Sequence, residues 1–296
     1  GMNYCLDRMG KENKAVPEWV ESMVKKGNNS FYKYEEGKRV FYDIGKGEYK
    51  IDSHSSSITS FEVLKQGNNL IHKGWSASVV DMGNEVVGVE FDSVLKKELN
   101  PIDGSILETI DYGLDWVLDN NYKGLVLSGD GPNFCAGANL NMILAMSARK
   151  DWESINNVTQ LMQNIMQKIR FSNFPVVAAP YGLVLGGGFE TIGACDRIVA
   201  ASESYIGLVE VGVGLIPGAG GNLRMINNLS QKMKSAMPGA FPVVQKAFET
   251  IGFAKVGTSA EHSRSYGYLK PDDISMPNRS QILDRAKEEV LNMSST

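Results

Sequence analysis

Residues 181–191 read YGLVLGGGFET, and the three consecutive glycines at 186–188 govern how the rest of the chain is understood. Glycine loses more backbone freedom on ordering than any other residue. A single packing contact would account for one such residue; three in a row imply that something must approach the backbone closely. On one side lies PVVAAP (175–180), an apolar run that reads as a buried strand. On the other, Glu190 stands at the start of a helix in otherwise apolar surroundings. The spacing is not G-x-G-x-x-G with a downstream acid, and no Gly-Lys-Ser/Thr follows, so neither a dinucleotide fingerprint nor a P-loop is present.

Two other segments have the same texture. GPNFCAGANL (131–140) follows GLVLS (124–128), a short buried strand. Its Ala136, Gly137 and Ala138 are expected to leave backbone N–H groups exposed at a helix start, where a negative oxygen is welcome. Taken alone, the segment reads equally well as a strand-to-helix turn built from small residues. LVEVGVGLIPGAGGNLR (208–224) places Glu210 among apolar residues and runs into a Gly/Pro turn that opens another helix. An exposed acid on an edge strand is the plain alternative there.

Working outward, SVVDMGNEVVGVEFDS (78–93) predicts two strands around a Gly83-Asn84 turn. Ile106, Ile110, Leu114, Val117 and Leu118 recur at helical spacing within 101–119, with Asp103 as cap. A longer helix is predicted over 151–170, where Trp152, Ile155, Val158, Met162, Ile165, Met166 and Ile169 make one face that reads as core packing. RIVAAS (197–202) is a further strand, and the chain from about 218 onward is mostly helical, ending in NRSQILDRAKEEVLNM. Strands alternating with helices indicate an α/β domain.

The first 52 residues differ, being dense in charge and aromatics. VPEWVESMVKKG (16–27) predicts a short amphipathic helix with Pro17 in its first position and Gly27 closing it; FYKYEEGKRVFYDIGKGEYKI (31–51) predicts small hairpins. This piece is too small to form a substantial core by itself. SHSSSITS (53–60) is the best linker candidate, and the expected division is an appendage over 1–52, a linker over 53–78 and the main domain over 79–296.

Composition narrows the function classes. With 296 residues and 43% hydrophobic content the chain supports a real core. A formal charge of −4 gives no reason to expect nucleic acid or an anionic membrane as partner. No apolar run approaches the roughly 20 residues that span a bilayer, and the N-terminus lacks the apolar middle of a secretory signal. Cys5, Cys135 and Cys195 are too widely spaced for a disulfide framework or a zinc site, so a reducing, cytoplasmic location is expected. His54, His72 and His262 show no metal-ligand spacing and read as ordinary histidines.

FCAGANL, then GGGFE, then an acid twenty positions beyond Glu190 in VEVGVGLIPGAGG together resemble the enoyl-CoA hydratase/isomerase family, the crotonases. The resemblance covers about 79–270. It implies a spiral of repeated ββα turns, an α/β fold, that binds an acyl-CoA thioester. In that family two backbone N–H donors stabilise the enolate formed at the thioester carbonyl; the matching positions are Ala138 and Gly187. The hydratases' two water-holding glutamates match Glu190 and Glu210, with Glu210 protonating the α-carbon and Glu190 activating the water. Ala136, Gly137, Gly186 and Gly188 are the accompanying substrate-binding positions, and Lys96 and Lys97 match where relatives contact coenzyme A, although they read equally as a solvated charge pair. The implied activity is hydration of trans-2-enoyl-CoA in fatty acid β-oxidation, without a metal and with coenzyme A entering only as part of the substrate. An isomerase working mainly through Glu210 and a non-catalytic acyl-CoA-binding module are the alternatives.

The segment VPEWVESMVKKGNNSFYKYEEGKRVFYD (16–43) resembles the end of the C-terminal domain of a 3-hydroxyacyl-CoA dehydrogenase. Fused bacterial β-oxidation proteins carry dehydrogenase before hydratase. The chain is therefore expected to be part of a longer polypeptide, consistent with Gly1 standing ahead of Met2 as a cloning remnant. The partners implied are that dehydrogenase, a thiolase and further copies of the chain. The nucleotide-binding half is missing from the sequence, so no NAD binding is expected. Two departures from the family are visible: the helices that usually cover the acyl pocket and build trimers would begin near Thr296, and SQKMKSAMPGAFP (230–242) reads as an insertion.

Overall fold

Val20, Met23, Val40 and Tyr42 are the buried apolar residues among those described in the N-terminal stretch, and the elements around them follow from that pattern. The computed structural model describes residues 1–35, 38–52, 59–233 and 241–295. These fall into two compact units, 1–58 with 66–68, and 59–65 with 69–296. The smaller unit has helices α1 (Met2–Lys11) and α2 (Glu18–Lys25) and an antiparallel meander of β1 (Tyr32–Glu35), β2 (Lys38–Asp43) and β3 (Glu48–Ile51). Pro17 sits one position earlier than expected, as the extended N-cap of α2, and Gly27 follows the helix with φ +79°.

The larger unit begins with α3 (Phe61–Gln66, all but its last residue), β4 (Leu70–Lys73), β5 (Ala77–Asp81) and β6 (Val86–Phe91). Then come α4 (Gly104–Asp119), β7 (Gly124–Ser128), α5 (Leu140–Ala148), α6 (Trp152–Arg170), β8 (Val176–Ala178), β9 (Gly182–Leu185) and α7 (Gly187–Ala194). After β10 (Arg197–Ala201) and β11 (Ser204–Gly207), a single 3-10 turn over Glu210–Val213 leads to α8 (Gly221–Met233) and α9 (Phe241–Gly252). The chain closes with β12 (Val256–Gly257), α10 (Ala260–Tyr266), β13 (Ile274–Met276) and α11 (Ile282–Ser294).

Seven strands form one sheet in the order β13-β10-β8-β7-β6-β5-β4, parallel from β13 to β6 and antiparallel beyond. β6 and β7 are buried at every position, as expected of strands covered on both faces. A smaller sheet has the order β12-β11-β9. The chain alternates between the sheets: β8 enters the large one, β9 the small one, and α7 returns; β10, β11 and α8 repeat the step. Isolated parallel bridges Cys135↔Val184 and Ile102↔Ala138 extend the small sheet backwards. Thus β7–Cys135–α5 and β6–Ile102–α4 are earlier turns of the same path. This is the repeated ββα spiral, and it brings the starts of α5 and α7 side by side.

The cap expected at Asp103 is present: its carboxylate accepts from Ile106 N at 3.0 Å. The linker needs correction. Of 53–78, residues 53–58 lie outside the described residues, but Phe61–Gln66 is helical and Leu70–Lys73 pairs with β5 at the sheet edge. Phe61 is fully buried over Gly88, where a Cβ would fall 2.5 Å from its ring, so a lone aromatic anchors a segment whose composition reads as loop. Most of the segment 230–242 read as an insertion, residues 234–240, also lies outside the described residues. Among the described residues no helix is long and apolar enough to cross a membrane, and no group of three His, Cys, Asp or Glu could hold a metal ion.

Candidate active site

Each glycine of 186–188 has its own reason. Gly186 takes φ +52°, a backbone conformation that L side chains rarely adopt, and a Cβ there would lie 3.3 Å from Glu210 Oε1. A Cβ on Gly187 would come within 2.8 Å of Met162 Cε, and one on Gly188 within 2.6 Å of the Cys135 carbonyl oxygen. The run therefore permits a sharp turn, keeps a cavity wall open and seats α7 against the preceding turn of the spiral.

Two amides meet at this wall. Ile102 N donates to the Gly137 carbonyl at 2.9 Å and Asn139 N to the Ile102 carbonyl at 3.2 Å. The bridge thus uses the residues flanking Ala138, and the Ala138 N–H turns to the opposite side. Gly187 is the first residue of α7, where an N–H has no intrahelical acceptor. A Cβ on Gly187 would lie 3.7 Å from Ala138 N, so the two donors are neighbours, and neither has an acceptor among the described residues. The free N–H groups expected at 136 and 137 are corrected, although both residues line the cavity: Ala136 N donates to the Leu99 carbonyl at 2.8 Å and Gly137 N to Cys135 Sγ at 3.3 Å. Among the described residues only Ala138 of that trio keeps a free donor.

Both glutamates face the same cavity, which has a volume of about 450 Å³. Glu190 lies in the first turn of α7, buried, and its Oε1 accepts from Ala219 N at 2.7 Å and Gly221 N at 2.9 Å. Those amides come from the PGAGG turn before α8. Burial raises the Glu190 pKa from the ordinary carboxylate range, and the two amides partly offset it. Glu210, on the 3-10 turn, has neither carboxyl oxygen hydrogen-bonded to a partner. Burial pushes its pKa up to about 7; the backbone amide of Glu210 itself is the main influence in the other direction, the charge of Glu190 adds to the rise, and the Val209 amide opposes it in smaller measure. Two acids in one apolar cavity are thereby separated in character, which is the arrangement that lets one give a proton while the other takes one.

The rest of the wall is apolar. Leu140 and Ile143 come from α5, Ile155, Val158 and Met162 from α6, and Leu215 and Ile216 from the loop after the 3-10 turn. The stripe on α6 that reads as core in sequence divides: Ile165, Met166 and Ile169 are core, Met162 is core and also lines the cavity, Ile155 and Val158 line the cavity, and Trp152 is exposed. Nothing in helical periodicity separates a cavity wall from a packed core. The structure does not bring Lys96 and Lys97 to the cavity; both are exposed, and Lys97 pairs with Asp92 at 3.4 Å. Asn100, three positions on, is the residue missed there. It is buried, accepts from Ser93 N and donates to the Phe91 and Phe134 carbonyls, tying the end of β6 to the segment that carries Cys135.

A family model described as enoyl-CoA hydratase/isomerase matches residues 86–238. A Bacillus subtilis protein named "Probable 3-hydroxyacyl-CoA dehydrogenase" is 38% identical over 296 residues, all of this chain and 36% of its own length. A Rickettsia felis protein named as a fatty acid oxidation complex trifunctional enzyme is 28% identical over 253 residues, 85% of this chain and 32% of its own. The chain thus spans about a third of the length of these curated relatives. Among solved structures, an enoyl-CoA hydratase from Bacillus anthracis superposes with a TM-score of 0.62 at 26% identity, covering 75% of this chain and 77% of that one. One from Geobacillus kaustophilus also gives 0.62, at 19% identity and 76% coverage of each chain, a likeness of fold. With its ββα spiral and a family match over more than half its length, the chain belongs to the enoyl-CoA hydratase/isomerase family.

Proposed function

We propose that this chain hydrates trans-2-enoyl-CoA thioesters. The observation that carries the reading is the pairing of Glu190, fixed by two amides, with Glu210, whose carboxyl has no hydrogen-bond partner and is pushed to about 7, in one apolar cavity. The thioester carbonyl sits against the Ala138 and Gly187 N–H groups, which receive the negative charge that develops on its oxygen. Preorganised donors of this kind are worth ~10²–10³ in rate each. Glu190 accepts a proton from water as the oxygen attacks the β-carbon, and Glu210 delivers a proton to the α-carbon. No cofactor is called for, since coenzyme A arrives with the substrate. The apolar wall from α5 and α6 takes the acyl tail.

An isomerase reading requires one acid to move a proton between carbons; the anchored Glu190 then has no task, which favours hydration. The Bacillus subtilis relative is matched by the whole of this chain, including residues 1–52. That supports reading 1–52 as the end of a dehydrogenase module, 79–296 as the hydratase module, and the dehydrogenase of the same polypeptide as its partner, one taking up the hydroxyacyl product of the other. The test is the ultraviolet absorbance of a short-chain trans-2-enoyl-CoA mixed with wild type or Glu190→Gln. Loss of the conjugated signal with wild type and not with the variant is expected; an unchanged signal with both would remove the hydratase reading.

A further inference from the structure

Two arginines of the larger unit have side chains with no hydrogen-bond or ion-pair partner among the described residues. Arg170 ends α6 and Arg224 lies in the first turns of α8. Both line a cavity of about 440 Å³, and both also line a neighbouring one of about 250 Å³. Among the described residues neither guanidinium has a hydrogen bond or an ion pair. Arg224 is half-buried; desolvation, and then the charge of Arg170, push its pKa below the ordinary arginine value. Its stem is held across α7, where a Cβ on Gly193 would fall 3.0 Å from Arg224 Cγ.

The acids nearby are already engaged, Glu190, which lines the smaller cavity, by the amides of Ala219 and Gly221. Asp273 accepts from Ile198 N at 2.9 Å and from Lys270 N at 2.7 Å, Asp272 pairs with Arg197 at 3.3 Å, and Asp196 accepts from Val176 N at 2.9 Å. Lys270 donates its ammonium to the Asp196 carbonyl. Asn227 and Gln231, exposed on α8, add neutral donors to the larger cavity. Two like charges next to each other at the edge of a cavity are costly unless a counter-charge spans them. Guanidinium forks match the oxygens of phosphate and carboxylate, and a phosphate group near neutral pH carries close to two negative charges, enough to neutralise both.

We infer that Arg170 and Arg224 form a binding site for a phosphate-class anion outside the cavity that Glu210, Ala138 and Gly187 line, with Glu190 lining both that cavity and the smaller of the two beside the arginines. The probe is inorganic phosphate, titrated calorimetrically into the wild type, Arg170→Gln and Arg224→Gln in a buffer free of multivalent anions. Saturable binding by wild type, weakened about tenfold or more in each variant, is expected from the loss of one charge-assisted fork. Arg170 is exposed, so Arg170→Gln reports even if Arg224→Gln folds poorly. A competition arm with coenzyme A and 3′-dephospho-coenzyme A identifies the source: displacement by coenzyme A alone assigns the site to its 3′-phosphate, and no displacement by either assigns it to a free phosphate compound. Absence of saturable binding by wild type, or equal binding by wild type and Arg170→Gln, overturns the assignment.

Discussion

Glu190 accepts two backbone hydrogen bonds from the turn before α8, whereas Glu210, facing it in the same cavity, accepts none. The difference arises from where each acid is carried. Glu190 points from a helix toward a Gly-rich turn whose amides are free; Glu210 sits on a 3-10 turn with apolar neighbours. One acid is therefore fixed in place and the other is poised near neutrality, and the predictions below follow from that asymmetry and from the backbone that supports it.

Under the hydratase reading Glu210 acts in its protonated form. Its pKa of about 7 makes kcat/KM for hydration fall as pH rises through that value. A pH–rate profile over pH 5–9 is the check. A hydration profile flat through neutrality would refute the role given to Glu210. Glu210→Gln and Glu190→Gln are each expected to lose ~10²–10⁴ in kcat, with binding of a saturated acyl-CoA retained.

The same shift has a stability consequence. A carboxyl whose folded pKa is raised from 4.5 to about 7 contributes stability that is fully present below pH 4.5 and lost as pH rises through about 7. Glu210→Gln removes that penalty. The variant is expected to be more stable than wild type at pH 8 by about 1 kcal/mol, after discounting for solvent screening of a partly exposed group, and to lose that advantage at pH 5. Urea denaturation at the two pH values measures it.

Gly186 and Gly187 are expected to fail differently. Gly186→Ala forces a side chain onto φ +52° beside Glu210 and costs about 1–2 kcal/mol of stability. Gly187→Ala keeps an ordinary backbone, and its Cβ meets the movable end of Met162 while crowding the paired amides. It should fold, with kcat reduced ~10²–10³. Thermal melts beside steady-state rates distinguish the two; equal losses of stability would contradict this account.

Asn100→Ala leaves the Ser93 N–H and the Phe91 and Phe134 carbonyls without their partner in the interior. Each unsatisfied group costs ~1–3 kcal/mol, partly relieved by water or relaxation, so a loss of about 2–4 kcal/mol is expected on denaturation. Because the segment it ties down carries Cys135 and leads to Ala138, activity should fall further than that of a surface variant such as Lys97→Ala.

Much of the spiral was legible in the chain. Asp103 with its apolar helix, the turn at Gly83-Asn84, and the alternation of GLVLS, PVVAAP and RIVAAS with helices are local signals, set by cap chemistry, turn residues and periodicity. So were the glycine run and both acids, since buried acids and ordered glycines are expensive and rarely stand where they have no task. Phe61 was not legible as an anchor, because its contact is with Gly88, distant in sequence. Nor was the cavity wall on α6, where Ile155 and Met162 share the periodicity of the core beside them.

The sequence by itself determined the α/β class, the elements and the short list of residues able to do chemistry, because propensity, capping and hydrophobic period act over a few neighbouring residues. Only the tertiary structure decided which of those residues work together. It spent the Ala136 amide on the Leu99 carbonyl and the Gly137 amide on Cys135 Sγ, and left Ala138 free beside Gly187. It also gave Glu190 two amides and Glu210 none, and kept Lys96 and Lys97 away from the cavity. Those outcomes depend on hydrogen bonds and desolvation between segments far apart in the chain, which no local pattern encodes.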